Sequence, residues 1–204
     1  MIKNIIFDFG NIIIEFNARK IISNYTSDEK IQKFIIDHVI NSPEWLLEGK
    51  LDLGDVTLQQ MADNVNKRTN NIYKDIVNKF SLDYPNKLTY NGDILNLIKN
   101  LRNMGYKIYL LSNTCDEVFR LFKNDLKPLF DGIVLSYKIH EIKPYKPIYN
   151  YLLDKYNINA EESIFIDDRE DNIKTANELG IKGRQINKND YNDIVSALKE
   201  YNII

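Results

Sequence analysis

The sequence predicts a doubly wound, Rossmann-like α/β fold: a parallel sheet core with a small all-helical cap inserted after the first strand. Three observations predict it. Four short apolar runs lack polar alternation, as strands covered on both faces do. Helical periodicities separate the later runs, which is the alternation of a doubly wound sheet. The long stretch between the first run and the rest, about residues 16–86, carries helical patterns and no clear strand.

In chain order, the first run is Asn4-Ile5-Ile6-Phe7-Asp8. The helical stretch follows, with helices expected near 17–25, 28–40, 44–48, 57–67 and 71–80. Ser27-Asp28-Glu29-Lys30 and Val56-Thr57-Leu58-Gln59 carry polar caps ahead of apolar periodicity, so both read as helix starts. Gly49, Gly54, Pro85 and Gly92 read as bends. Asp93 to Met104 places Ile94, Leu97, Ile98 and Leu101 on one helical stripe, ended by Gly105. The second strand is Lys107–Ser112 and the third Gly132–Ser136, with a helix near Glu117–Phe122 between them. A helix opening at Pro147 leads to the fourth strand, Ser163–Asp167. Asp171–Leu179 is helical, Gly183–Ile186 is a weaker fifth strand, and residues 190–201 close the chain as a helix. The expected domains are a core of residues 1–15 and 87–204 and a helical cap of residues 16–86.

Composition narrows the function classes. A net charge of −2 leaves no basic footprint for nucleic acid or an anionic membrane. No apolar run reaches the roughly 18 residues of a membrane span. The apolar stretch Ile5–Ile14 is interrupted by Asp8 and Asn11 and reads as a buried strand, not as a secretion signal. One cysteine, Cys115, cannot close an internal disulfide, which fits a cytoplasmic compartment.

Open α/β sheets bind ligands at the carboxyl ends of their strands. There the sequence turns polar each time: Asp8-Phe9-Gly10-Asn11 after the first run, Ser112-Asn113-Thr114 after the second, Lys143-Pro144 past the third, and Asp167-Asp168-Arg169-Glu170-Asp171-Asn172 after the fourth. These four pieces, in this order and with a helical insert after the first, resemble the haloacid dehalogenase superfamily, most of whose members are phosphatases. Phe7-Asp8-Phe9-Gly10-Asn11 and Asp167-Asp168-x-x-x-Asn172 are similar to the subgroup that includes bacterial α-D-glucose-1-phosphate phosphatases.

The resemblance implies the roles. Asp8 would be the nucleophile, since a carboxylate that takes the phosphoryl group covalently splits one hard step into two. Asp8, the backbone carbonyl of Gly10 and Asp168 would hold Mg²⁺, with Asp167 binding directly or through water; hard oxygen donors suit that ion. Adjacent carboxylates also repel unless a cation or proton lies between them. Ser112 would bind phosphate oxygens and act in catalysis, and Asn113 would add a phosphate or substrate contact. Lys143 would neutralise charge on Asp8 and the phosphoryl group. It is preferred over Lys146 because Lys143-Pro144 followed by Ile148-Tyr149 keeps the family's register. His38 and His140 lack ligand partners at useful spacing, and Cys115 has no histidine near it in sequence. The expected partner is a small phosphorylated metabolite, best a sugar phosphate such as a hexose 1-phosphate. No nucleic acid or membrane is expected, and the chain is expected to be a monomer or weak homodimer.

The sequence departs from the family at one position. The usual first motif has a second aspartate two residues after the nucleophile, which serves as general acid and then base. Here Gly10 stands there. General acid–base help contributes about 10²–10⁴-fold, so a substitute is sought among Glu15, Asn11, Glu44 and Glu48. Trp45, beside Leu46 and Leu47, reads either as cap core or as a sugar contact. Two other readings follow from Gly10: a metal-free 2-haloacid dehalogenase, against which Asp167-Asp168 argues because it would repel an anionic acid, and a weakly active or non-catalytic phosphate-ligand binder.

Overall fold

The computed structural model describes residues 1–47 and 49–204. The chain runs β1 (Asn4–Phe7), β2 (Ile14–Glu15), α1 (Ala18–Ile22), α2 (Glu29–Ile35), two π-helical turns (Ile36–Ile40 and Pro43–Leu47), α3 (Lys50–Leu53), α4 (Leu58–Arg68) and α5 (Lys74–Asp83). It continues through β3 (Thr89–Tyr90), α6 (Gly92–Asn103), β4 (Lys107–Ser112), α7 (Asp116–Leu126), β5 (Gly132–Leu135) and α8 (Ser136–Ile139). It ends with α9 (Lys146–Tyr156), β6 (Ser163–Asp167), α10 (Glu170–Glu178), β7 (Lys182–Gln185) and α11 (Tyr191–Glu200).

The main sheet has five parallel strands in the order β5-β4-β1-β6-β7. The chain builds outward from β1 in both directions, so the switch point lies beside β1. Side chains alternate across the sheet and fill two separate apolar clusters. Ile5, Phe7, Ile108, Leu110, Ile164 and Ile166 lie in one cluster. Ile6, Tyr109, Leu111, Val134 and Phe165 lie in the other, against Ile148, Tyr149 and Leu152 of α9. These strands are buried on both faces, which is why their sequences read as continuous apolar runs.

Capping sets the helix starts in the insert. Asp28 accepts from the Lys30 and Ile31 amides to open α2, and Thr57 forms a capping box with Gln60 to open α4. The helix expected over 28–40 widens into a π-helical turn after Ile35. Gly92 is the first residue of α6, capped by Asn91, and not a bend. Several short elements escape periodicity, among them the antiparallel β2–β3 pair at the base of the insert, α3, and α8, which replaces the end of the third expected strand.

The insert shares its packing with the sheet. Leu51, Met61, Val65 and Phe80 lie in the same cluster as Ile5 and Phe7. Polar links also join insert to core, among them the Glu117 carboxylate, which accepts from the Leu58 amide at 3.1 Å, and the Ser136 hydroxyl, which donates to the Asp52 carbonyl at 2.5 Å. Trp45 packs edge-on against Phe16 and tilted against Tyr84, with ring centroids 5.7 and 4.8 Å away.

Candidate active site

The strand register brings the polar ends together. Phe7 pairs with Ile166, so Asp8 follows β1 directly beside Asp167 at the end of β6. The Asp8 amide continues the ladder by donating to the Ile166 carbonyl at 2.9 Å. Lys143, in the loop between α8 and α9, reaches between the two carboxylates. Its Nζ donates to Asp8 Oδ1 at 2.6 Å and to Asp167 Oδ2 at 2.7 Å, and its side chain is 2% exposed. Asn113, just past β4, fastens this lysine: its amide accepts from the Lys143 N–H at 2.8 Å and donates to the Lys143 carbonyl at 2.9 Å. Asn113 thus engages the lysine backbone while also lining the cavity over Asp8.

The two adjacent aspartates differ. Asp167 is fully buried and saturated: it accepts from the Arg169 amide at 2.8 Å, from Asn172 Nδ2 at 3.0 and 2.9 Å, and from Lys143. Asp168 faces the cavity, accepting from Asn11 Nδ2 at 3.0 Å, with Lys188 Nζ at 3.9 Å. Carboxylate oxygens of Asp8, Asp167 and Asp168 lie within 4.8 Å of one another.

Burial dominates the electrostatics. It pushes the Asp8 carboxyl up to about 7; Asp167 adds to the shift and Lys143 opposes it. Burial and then Asp167 raise Asp168, opposed by the Asn11 hydrogen bond, Lys188 and Lys143. Burial alone would lower Lys143, but Asp167 and Asp8 outweigh it and hold the ammonium above the usual lysine range. With all three carboxylates ionised, one ammonium would leave an excess of two negative charges, and hard oxygen donors at this spacing fit a divalent cation such as Mg²⁺. In the loop after β1, the Ile13 and Ile14 amides bond the Phe9 carbonyl and the Asn11 amide bonds the Ile14 carbonyl. These bonds leave the Gly10 carbonyl outside the pairing.

Ser112 ends β4 fully buried, and its hydroxyl has no hydrogen-bond partner among the described residues. Lys146 points away, exposed and paired with Glu178 at 3.0 Å. His38 packs on Phe34, and His140 is exposed with Nδ1 3.7 Å from Asp55. Cys115 is buried, and desolvation pushes its thiol up to about 12. An ideal Cβ built on Gly10 meets none of the described residues within 4 Å, so they do not impose the glycine by crowding.

The substitutes considered for the missing acid fare poorly. Glu15 pairs with Lys20 at 3.2 Å and lines a different cavity. Glu44 is buried in an ion pair with Arg68 at 2.6 Å; burial would raise its carboxyl, but the Arg68 hydrogen bond helps to hold it below the usual range. Asn11 lines the site but is committed to Asp168 through its amide nitrogen. Glu48 lies outside the described residues, as does the side chain of Leu47.

The cavity over Asp8 has a volume of about 480 Å³ and is also lined by Asp52, Arg169 and Lys188, which the sequence did not single out. For Asp52 a signal was present: Gly49 and Gly54 bracket it, and both adopt left-handed conformations, with φ of 64° and 79°. Beside this cavity a smaller one of about 150 Å³ is lined by Phe9, Phe16, Trp45, Tyr84 and Val118. Trp45 therefore both fills core and faces a cavity.

Known proteins resemble this chain in sequence and in fold. Residues 5–185 match the haloacid dehalogenase-like hydrolase family. The chain is 28% identical to a D-ribitol-5-phosphate phosphatase of Bacteroides thetaiotaomicron, over 89% of this chain and 90% of that one. It is 23% identical to a glyceraldehyde 3-phosphate phosphatase of Methanocaldococcus jannaschii, over 95% and 89%. A haloacid dehalogenase family enzyme of Bacteroides thetaiotaomicron, solved in complex with magnesium and inorganic phosphate, shares the fold with a TM-score of 0.74 and 24% identity, over 95% of this chain and 99% of that one. With a family match across most of its length and this sheet order, the chain belongs to the haloacid dehalogenase-like hydrolases.

Proposed function

We propose that the chain is a magnesium-dependent phosphatase that hydrolyses a small phosphate monoester of a sugar or polyol, hexose 1-phosphates among them, through an aspartyl-phosphate on Asp8. The observation that carries this reading is the buried Asp8, bonded to Lys143 and clustered with Asp167 and Asp168, under a cavity of about 480 Å³. The phosphatase names of the relatives support the reaction class.

In the first step the Asp8 carboxylate attacks phosphorus, and the bond to the leaving oxygen breaks. Lys143 offsets the negative charge around Asp8, and its position is held by Asp167 and Asn113. The Ser112 hydroxyl, buried at the end of β4 and without a hydrogen-bond partner among the described residues, would donate to a phosphoryl oxygen. In the second step water attacks the same phosphorus, inorganic phosphate leaves and Asp8 is restored. Asp8, Asp168 and the Gly10 carbonyl would hold Mg²⁺, with Asp167 as an inner carboxylate, and the ion would neutralise phosphoryl charge. The helical insert covers the cavity with Asp52 and Leu46, with Trp45 lining the smaller cavity beside it, limits water and selects the leaving group.

The test is phosphate release from a panel of phosphorylated sugars and polyols and from p-nitrophenyl phosphate, with Mg²⁺ and with EDTA. Metal-dependent release that disappears in Asp8→Asn is expected. Full activity in Asp8→Asn, or no release from any ester, overturns the reading. The second outcome favours a phosphate-ligand binder or a metal-free dehalogenase.

A further inference from the structure

Breaking a phosphate ester leaves charge on the departing oxygen, and hydrolysing the acyl phosphate requires a proton to leave water. Gly10 has no side chain to serve either need. We propose that Asp52, carried on α3 of the insert, is the general acid and then the general base of this reaction, acting from the opposite side of the cleft in place of a side chain at position 10. The proposal rests on the phosphatase reading above.

Location comes first. Asp52 lines the cavity that holds Asp8, Asn113 and Lys143 and also the smaller apolar cavity beside Gly10 and Asn11. Among the described residues lining the larger cavity, the carboxylates are Asp8, Asp168 and Asp52. The first two belong to the charged cluster, which leaves Asp52 free to handle protons. Its carboxylate has no hydrogen-bond or ion-pair partner among the described residues, in contrast to Glu15, Glu44 and Asp168.

The second observation is how firmly the residue is held. The Ser136 hydroxyl, which accepts from the Thr114 amide at 3.0 Å, donates to the Asp52 carbonyl at 2.5 Å. One side chain thus ties α3 to the ends of β4 and β5. The flanking glycines allow the approach. A Cβ on Gly54 would lie 2.9 Å from the Tyr137 carbonyl oxygen, and one on Gly49 would lie 2.9 Å from Ile142 Cδ1. Ile142 precedes Lys143, so the loop that carries the lysine packs its Ile142 side chain against the start of α3. An acid–base group needs this fixed placement more than it needs strength.

Burial pushes the Asp52 carboxyl up to about 7, against Lys143 and Arg169, and Tyr84 and Cys115 lie within its electrostatic reach. A carboxyl in that range gives and takes protons near neutral pH. In the first step Asp8 bonds to phosphorus, the phosphorus–oxygen ester bond breaks, its electron pair goes to the leaving oxygen, and the Asp52 proton goes to that oxygen. In the second step the Asp52 carboxylate takes a proton from water as its oxygen bonds to phosphorus. The bond between Asp8 and phosphorus then breaks, its electron pair returns to the Asp8 carboxylate, and phosphate departs with Asp52 protonated again.

The experiment measures kcat/KM of the full chain with Mg²⁺ on a series of esters, from p-nitrophenyl phosphate, whose phenol leaves unaided, to alkyl and sugar phosphates, whose alcohols do not. The wild-type chain is expected to show a shallow dependence on leaving-group basicity. Asp52→Asn is expected to lose about 10²–10⁴-fold on alkyl phosphates and roughly tenfold or less on p-nitrophenyl phosphate. Adding Gly10→Asp to Asp52→Asn is expected to recover alkyl phosphate turnover, because a Cβ there has open space. Equal losses on both ester classes with no recovery, unchanged kinetics in Asp52→Asn, or a steep dependence already in the wild-type chain overturns the role of Asp52 while leaving the phosphatase standing. Failure of the wild-type chain to turn over any ester instead removes the reading beneath it.

Discussion

Replacing Lys143 by Met tests the centre of the site, because it keeps the apolar stem and deletes only the ammonium. That group makes two short ion pairs, at 2.6 Å to Asp8 and 2.7 Å to Asp167, and it is 2% exposed. Breaking a buried pair from one side costs about 3–5 kcal/mol, because the abandoned charge stays buried. Two features pull the expected cost toward the lower end. Asp167 keeps its bonds from the Arg169 amide and Asn172, and Asp8, pushed up to about 7, relieves its charge by taking a proton. About 3 kcal/mol, at about 2–4 °C per kcal/mol for a chain of this size, lowers the melting temperature by roughly 6–12 °C. Turnover falls by about 10²–10³-fold, the usual effect of losing one oriented charge at a reacting centre. The control is Lys146→Met, which breaks a pair of half-exposed side chains at 3.0 Å and costs under about 1 kcal/mol. Circular dichroism melting and phosphate release on both variants provide the measurement. A Lys143→Met protein that melts with the wild type and retains most of its activity refutes the reasoning, as does a larger effect from Lys146→Met.

Two further predictions concern the surroundings of the site. Gly54→Ala places a side chain at φ 79° and a Cβ 2.9 Å from the Tyr137 carbonyl oxygen. The backbone strain alone costs about 1–2 kcal/mol, so urea unfolding should show at least that loss, with turnover reduced as α3 shifts; a neutral substitution would mean that α3 docks less closely. Cys115, buried with its thiol pushed up to about 12, should resist alkylation at pH 8 in the native chain and react on unfolding, as thiolate reactivity requires. Rapid native labelling with full retention of structure would contradict the burial.

The sheet and its polar rim were legible because burial on both faces leaves a plain mark: β1, β4, β5 and β6 are apolar runs that turn polar where the strands end. Asp8, Ser112 and Asp167 could be placed at strand ends on that basis, while their roles, and the choice of Lys143 by the family's register with Ile148 and Tyr149, came from the resemblance. Adjacent identical residues are a different matter. Nothing in the order Asp167-Asp168 separates them, yet one is sealed against Lys143 and Asn172 while the other faces the cavity beside Asn11. That division depends on where successive side chains point once β6 ends.

Asp52 escaped for a related reason. It lies on a four-residue helix, too short to set a period, inside a stretch whose apolar pattern records only packing. Its place over Asp8 is set by contacts with Ser136, Tyr137 and Ile142, some ninety residues further along the chain. By itself the sequence determined that a parallel sheet would form and where its strands would end, whereas the resemblance of its motifs to the haloacid dehalogenase superfamily marked Gly10 as the position without the usual acid. The sheet and its strand ends follow from local patterns of burial and residue type. Which carboxylate faces the missing donor's position, which aspartate opens to the cavity and how the insert joins the sheet in one apolar cluster were decided only by the tertiary structure, because long-range packing leaves no local period to read.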